Sequence, residues 1–134
     1  MLNFYLDKDG KAVSLYSKAE TIRNLLGSFN HDMVSLYQII AGGREDMRLS
    51  NDELIPFVRE CIVALIDANG MPAIMKGEED GKYSMEIVYR YGTSPESIAD
   101  AILVEWKMFG YPTPVPPGEL WFAPSMSSST LLNT

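Results

Sequence analysis

Two extended segments with a short, strongly acidic turn between them occupy residues 71 to 91. MPAIMK precedes the turn GEEDG, and KYSMEIVYRY follows it. In the second segment apolar and aromatic side chains alternate with polar ones, which is the pattern of a β-strand with one covered face. An isolated hairpin is at best marginally stable in water, so this face needs helices or further strands against it. The sequence therefore predicts helices packed on a small antiparallel sheet.

A second hairpin is predicted near the beginning of the chain, over residues 2 to 16. LNFYL and AVSLY flank DKDGK, in which the dipeptide Asp9-Gly10 favours a tight turn. The apolar side chains of each arm share one face. This hairpin likewise needs the rest of the chain to cover it.

Outside the hairpins, apolar residues recur three and four positions apart, the spacing of one helix face. Three of these stretches begin with Ser or Thr followed three positions later by Glu, a capping box that satisfies free N–H groups at a helix start. The boxes are Ser17 with Glu20, Ser50 with Glu53, and Thr93 with Glu96. The predicted helices run from 17 to 29, from about 30 to 41, from 50 to 68 and from 93 to 109.

Glycine and proline punctuate the remaining segments. Gly42-Gly43 is expected to end the second helix, and GREDMRLS, residues 43 to 50, is expected to be a charged loop. YPTPVPP, residues 111 to 117, must be extended. ELWF, residues 119 to 122, is expected to form a short final strand at a sheet edge.

The element order indicates a single domain of the α+β class. It contains two β-hairpins (about 2–16 and 71–91) and three to four helices packed on the sheet. A length of 134 residues suits one domain, which we place at 1–124, with 125–134 as a frayed tail. The sequence leaves open whether Trp121 and the proline segment are packed or exposed.

The compartment is predicted from three absences. With Cys61 as the one cysteine, no intramolecular disulfide can form, which fits a reducing environment. The first residues lack the basic and apolar regions of a signal peptide. The longest fully apolar run, CIVALI, is far shorter than a membrane span. We therefore expect a cytoplasmic protein without membrane contacts.

The formal net charge of −7 is concentrated in one part of the chain. Residues 1–44 carry five basic and four acidic groups, a sum of +1, whereas residues 45–134 carry six basic and fourteen acidic groups, a sum of −8. An acidic surface repels the phosphates of nucleic acids and attracts basic proteins. Direct DNA or RNA binding is therefore not expected.

No catalytic motif is visible. His31 is the only histidine, and Cys61 lies on the apolar stripe of the third helix, where a structural role is the commoner one. DKDG departs from a calcium loop because its glycine occupies the fourth loop position instead of the sixth. The carboxylates of EEDG are adjacent in a turn and rarely converge on one ion. No cofactor or metal is predicted.

The orientation of the last hairpin strand decides whether its tyrosines face the core or the solvent. Tyr83, Tyr89 and Tyr91 share one parity with Met85 and Ile87, which predicts that this row faces the core. The opposite parity, which includes Glu86, then faces solvent. If the strand is turned the other way, the tyrosines become candidate anchors for a partner.

Taken together, a small acidic binding protein is the function that we expect. Immunity proteins, which neutralise basic nuclease toxins in bacteria, have this physical profile. One alternative is a small carboxylate-using enzyme assisted by His31 or Cys61. Another is a homodimeric structural or adaptor subunit that pairs through an open hairpin edge, and the sequence does not distinguish monomer from homodimer. The candidate partner-binding residues are Glu45, Asp46, Glu78, Glu79, Asp80, Glu86, Tyr83, Tyr89 and Tyr91.

Overall fold

The computed structural model describes residues 4–6, 8–10, 12–14, 18–77, 79–114 and 119–124. Strands β1 (Phe4–Leu6) and β2 (Ala12–Ser14) form an antiparallel hairpin, as predicted. Gly10 lies in their turn with φ of 79°, which glycine adopts without strain. The predicted tail at 125–134 and the capping residue Ser17 lie outside the described residues.

Four α-helices follow within the described ranges, and the α+β class predicted from the sequence is confirmed. They are α1 (Lys18–Phe29), α2 (Leu36–Ala41), α3 (Asn51–Asp67) and α4 (Pro95–Met108). The predicted box at the start of α3 is present, because Ser50 N–H donates to Oε1 of Glu53 and Glu53 N–H donates back to the Ser50 hydroxyl. In α4 the box falls one residue later than predicted and joins Ser94 to Ser97.

The second helix begins later than predicted, although α2 ends at Ala41 as predicted. Val34–Ser35 forms strand β3 instead of helix, and α2 begins only at Leu36, capped by Ser35 and Gln38. Val34 pairs with Phe122 far along the chain, so a long-range contact overrides the local helical spacing. The glycine pair does not end the helical conformation. Gly42–Asp46 continues it as a turn of π-helix, where a loop was expected.

The main sheet has four antiparallel strands in the order β3-β6-β4-β5. Strands β4 (Gly70–Gly77) and β5 (Tyr83–Ile87) form the predicted second hairpin, and β6 is Leu120–Pro124. The edge position expected for the final strand is wrong, because β6 lies between β3 and β4. Trp121 in β6 is half-buried and pairs with Ser35 on one side and Ala73 on the other.

The core lies between this sheet and helices α3 and α4. Phe57, Ile62 and Ile98 are fully buried and meet Phe122 from the sheet. Burial of one such side chain contributes about 1.5–3 kcal/mol. Trp106 of α4 donates its indole N–H to the carbonyl of Pro112 at 2.8 Å, which fixes the beginning of the proline segment to the domain. Residues 115–117 of that segment, and residue 118 after it, lie outside the described residues.

Candidate functional site

The acidic turn between β4 and β5 is at the surface. Glu79 and Asp80 are both exposed. Asp80 also closes the turn, because its Oδ1 accepts the N–H of Lys82 at 3.0 Å. Among the described residues Glu79 has neither an ion pair nor a hydrogen bond. Glu78, the third carboxylate of the turn, lies outside them.

Glu86 projects from β5 to solvent and is partly neutralised. Its Oε2 lies 3.5 Å from Nζ of Lys76 on the neighbouring strand β4. An exposed pair of this kind contributes about 0.2–1 kcal/mol at most. Its negative charge is therefore less available to a partner than the charge of Glu79.

Glu45 and Asp46 form a second exposed acidic group on the π-helical turn. Their neighbour Arg44 does not balance them, because its guanidinium donates to the Thr113 hydroxyl at 2.7 Å and to the Tyr111 carbonyl at 2.8 Å. Arg44 thus fixes the segment that follows α4 to the π-helical turn. Within the described part of the chain, neither carboxylate has an ion pair.

The predicted alternation holds along β5 itself. Met85 and Ile87 are half-buried, while Ser84 and Glu86 are exposed. Beyond Ile87 it breaks down, because the strand ends and the backbone N–H of Val88 bonds to the Pro72 carbonyl. Val88 then packs against the core although it has the opposite parity.

The three candidate tyrosines consequently do not share one environment. Tyr91 is buried, and its hydroxyl donates to Oε1 of Glu105 at 2.6 Å. Burial, the hydrogen bond to Glu105 and the charge of Glu105 raise the pKa of Tyr91. Tyr89 is 71% exposed, contrary to its prediction as a core residue. Tyr83 belongs to β5, but its side chain is outside the described part of the chain.

The sequence did not predict that the carboxylate of Glu119 is buried. Glu119 is 6% exposed, and its Oε1 accepts the N–H of Tyr37 in the first turn of α2. A negative group there is favoured by the free N–H groups and the helix dipole. Glu119 also borders an apolar cleft of about 200 Å³. Nothing local in the sequence marks this role, since Tyr37 lies 82 residues away along the chain.

Cys61 and His31 lie in different environments, one buried and one at the surface. Cys61 borders a cavity of about 250 Å³ beside α1, yet it is only 1% exposed. Burial raises the pKa of its thiol to about 12, so the nucleophilic thiolate is scarce at neutral pH. His31 is exposed in the turn after α1. The two residues named for the alternative enzyme are thus a buried thiol and a surface imidazole, as their patterns in the sequence favoured.

Comparison with known proteins gives no relative. No protein-family model, curated protein or solved structure matches the chain. In the described ranges, no three His, Cys, Asp or Glu side chains are grouped where they could hold a metal ion. None of the helices described is long and apolar enough to cross a membrane.

Proposed function

We propose that this protein binds a basic protein and inhibits it, as an immunity protein neutralises a cationic nuclease toxin. The observation that carries the proposal is the pair of exposed acidic groups that have no cation beside them among the described residues. One group is Glu45 with Asp46, and the other is Glu79 with Asp80. The two groups are defined as the π-turn acidic group and the hairpin acidic group.

The carboxylates of this chain differ in what they contribute to the fold. A carboxylate that stabilises a protein is normally paired, hydrogen-bonded or placed at a helix start. Glu53, Asp100 and Glu119 have such roles here. The π-turn group and Glu79 have none among the described contacts, so they are free to act on a partner.

A basic partner would be attracted before contact. Complementary charge raises the association rate constant from about 10⁵–10⁶ to as much as 10⁸–10⁹ M⁻¹s⁻¹ at low salt. Carboxylates can also occupy a basic cleft that would otherwise bind nucleic-acid phosphates. Tyr89, a largely exposed aromatic side chain, is the anchor that we assign to this contact. The proposal includes a cytoplasmic location, which a single buried thiol suits.

The test is affinity capture from the source organism with the tagged full-length protein. We expect a basic protein to be retained at 50 mM salt and largely lost at 500 mM salt, where screening is strong. The purified partner should lose its nuclease activity when the protein is added. Retention that does not depend on salt, or the recovery of no basic protein, would overturn the proposal.

Two matched pairs of substitutions separate the site from the net charge. Glu45→Lys with Asp46→Lys, and Glu79→Lys with Asp80→Lys, each change the charge by the same amount. Glu60→Lys with Asp67→Lys is the control, because both residues are exposed and unpaired on α3 within the described contacts. Equal loss of binding in all three variants would reject these contact residues while leaving electrostatic binding intact.

A further inference from the structure

One face of α4 is apolar and turned to solvent. Val104 is 60% exposed and Met108 is 78% exposed, and Phe109 directly after the helix is 74% exposed. Single exposed apolar residues are common on proteins, but a contiguous apolar patch marks an interaction site. The core does not require this face, since Ile98, Ile102 and Trp106 already bury the opposite side of α4. Its residues therefore need another explanation.

The residues along this face have the spacing of a two-helix seam. Ser97, Ala101, Val104 and Met108 are separated by four, three and four positions. A repeat of three and four is the pattern with which one helix packs along another. We define these four residues as the α4 seam. Ser97 and Val104 are exposed, and Ala101 is half-buried.

The order of small and large side chains along the seam indicates which helix could pack against it. The seam has its small residues, Ser97 and Ala101, at the start of α4 and its large ones, Val104 and Met108, at the end. We propose that α4 packs antiparallel against α4 of a second copy of this chain. Around a two-fold axis, Met108 then lies opposite Ser97 of the second copy, and Val104 opposite Ala101. A parallel pair would instead place Met108 against Met108.

The charges beside the seam agree with this orientation. Asp100 and Lys107 are seven positions apart, so they flank the seam on the same side. In the antiparallel pair, Asp100 of each copy faces Lys107 of the other. Lys107 has no ion pair among the described residues. Asp100 accepts from Arg59 at 2.9 Å but remains exposed and can receive a second cation.

A groove beside the seam adds surface to the contact. It has a volume of about 370 Å³ and lies between α4 and the segment Arg90–Tyr91. Val104 and Met108 form part of its wall. None of the acidic groups of the proposed function belongs to this face. The dimer is thus independent of the proposed function and uses different residues.

The test is the mass of the full chain in solution, measured by light scattering at about 5–100 µM. We expect a dimer for the natural sequence, and a monomer for Val104→Glu and for Met108→Glu. Both substitutions are at exposed positions, and far-UV circular dichroism checks that the variants fold. A natural protein that is monomeric at the highest concentration overturns the proposal. A dimer unchanged in both variants also overturns it and indicates the β5 edge instead.

Charge reversal tests the antiparallel orientation directly. Asp100→Lys alone and Lys107→Asp alone should each place like charges together twice per dimer and weaken it about tenfold or more. An equimolar mixture of these two variants should regain the affinity, because both contacts in the mixed dimer are then between opposite charges. A mixture that stays as weak as the separate variants rejects the antiparallel arrangement.

Discussion

The hydroxyl of Tyr91 donates a 2.6 Å hydrogen bond to Oε1 of Glu105 and so ties the chain after β5 to α4. Arg90 strengthens the junction, because its guanidinium lies 4.4 Å from the centre of the Tyr91 ring and donates to Oε2 of Glu105 at 3.1 Å. Tyr91, which the sequence suggested as a possible anchor for a partner, therefore has a structural role. Tyr89, two positions earlier, is left to solvent.

Removal of the Tyr91 hydroxyl should therefore destabilise the protein. We expect Tyr91→Phe to lower the free energy of unfolding by about 1.5–3 kcal/mol, since a hydrogen bond to a charged acceptor is lost while the ring stays buried. Tyr89→Phe is the matched control and should change it by less than about 0.5 kcal/mol. Urea unfolding of both variants measures the difference, and equal values would contradict the assigned role.

Stability should fall at alkaline pH because of Cys61. Burial raises the pKa of its thiol from 9.0 to about 12, so above pH 9 the unfolded chain loses a proton that the native chain keeps. Fewer bound protons in the unfolded state mean that stability decreases as the pH rises from 9 towards 12. The slope for one such group is at most about 1.4 kcal/mol per pH unit.

Cys61→Ala removes this group and isolates its effect. The variant loses some packing, which lowers stability by a constant amount, but its stability should decline less steeply above pH 9. Thermal or urea unfolding at pH 8, 9, 10 and 11 gives both slopes. Tyr91, whose pKa is also raised, acts in the same direction in both proteins and cancels in the comparison. Parallel slopes would show that Cys61 does not titrate as described.

The adjacent glycines 42 and 43 should respond to alanine in opposite ways. A Cβ on Gly43 would lie 2.6 Å from Cδ1 of Leu54 and 3.1 Å from Cδ2 of Phe57, whereas a Cβ on Gly42 meets nothing within 4 Å. We expect Gly43→Ala to lower the free energy of unfolding by about 1–3 kcal/mol because the core side chains must move. Gly42→Ala, in a helical conformation, should raise it by about 0.5–1 kcal/mol. Thermal unfolding of both variants measures these changes in stability. A change of the same sign in both variants would be inconsistent with this packing.

The parts of the fold predicted correctly from sequence are those governed by neighbouring residues. The box of Ser50 with Glu53 is complete within four residues, so it predicts the start of α3 correctly. The alternation along Met85 to Ile87 is equally local. A turn with several charged residues between two apolar segments was sufficient to predict the hairpin of β4 and β5.

The parts that were missed depend on contacts distant in sequence. Val34 is a strand residue because Phe122 pairs with it, and β6 is internal because β4 pairs with it on one side and β3 on the other. Glu119 bonds to Tyr37, and Arg44 bonds to Thr113. Periodicity contains no information about such pairs. The acidic groups could be named from the sequence, but it is the contacts of Arg44 and Lys76 that show both cations engaged elsewhere within the described ranges.

The hairpin acidic group should affect binding without affecting stability. Glu79→Lys with Asp80→Lys alters exposed positions, and the main local loss is the bond from Lys82 N–H to Asp80, so we expect the free energy of unfolding to change by about 0.5 kcal/mol or less. Binding to the basic partner should weaken mainly through a lower association rate constant at low salt. Stopped-flow measurements at several salt concentrations provide this rate.

The control pair on α3, Glu60→Lys with Asp67→Lys, distinguishes direct contact with the partner from the effect of net charge. If the hairpin group contacts the partner, its variant should also dissociate faster, whereas the control should lose only the long-range attraction that depends on net charge. At an intermediate salt concentration, where that attraction is mostly screened but the natural protein still binds, the control should bind like the natural protein and the hairpin variant should not. Convergence of all three proteins at that salt concentration would mean that the hairpin group steers the partner but does not touch it.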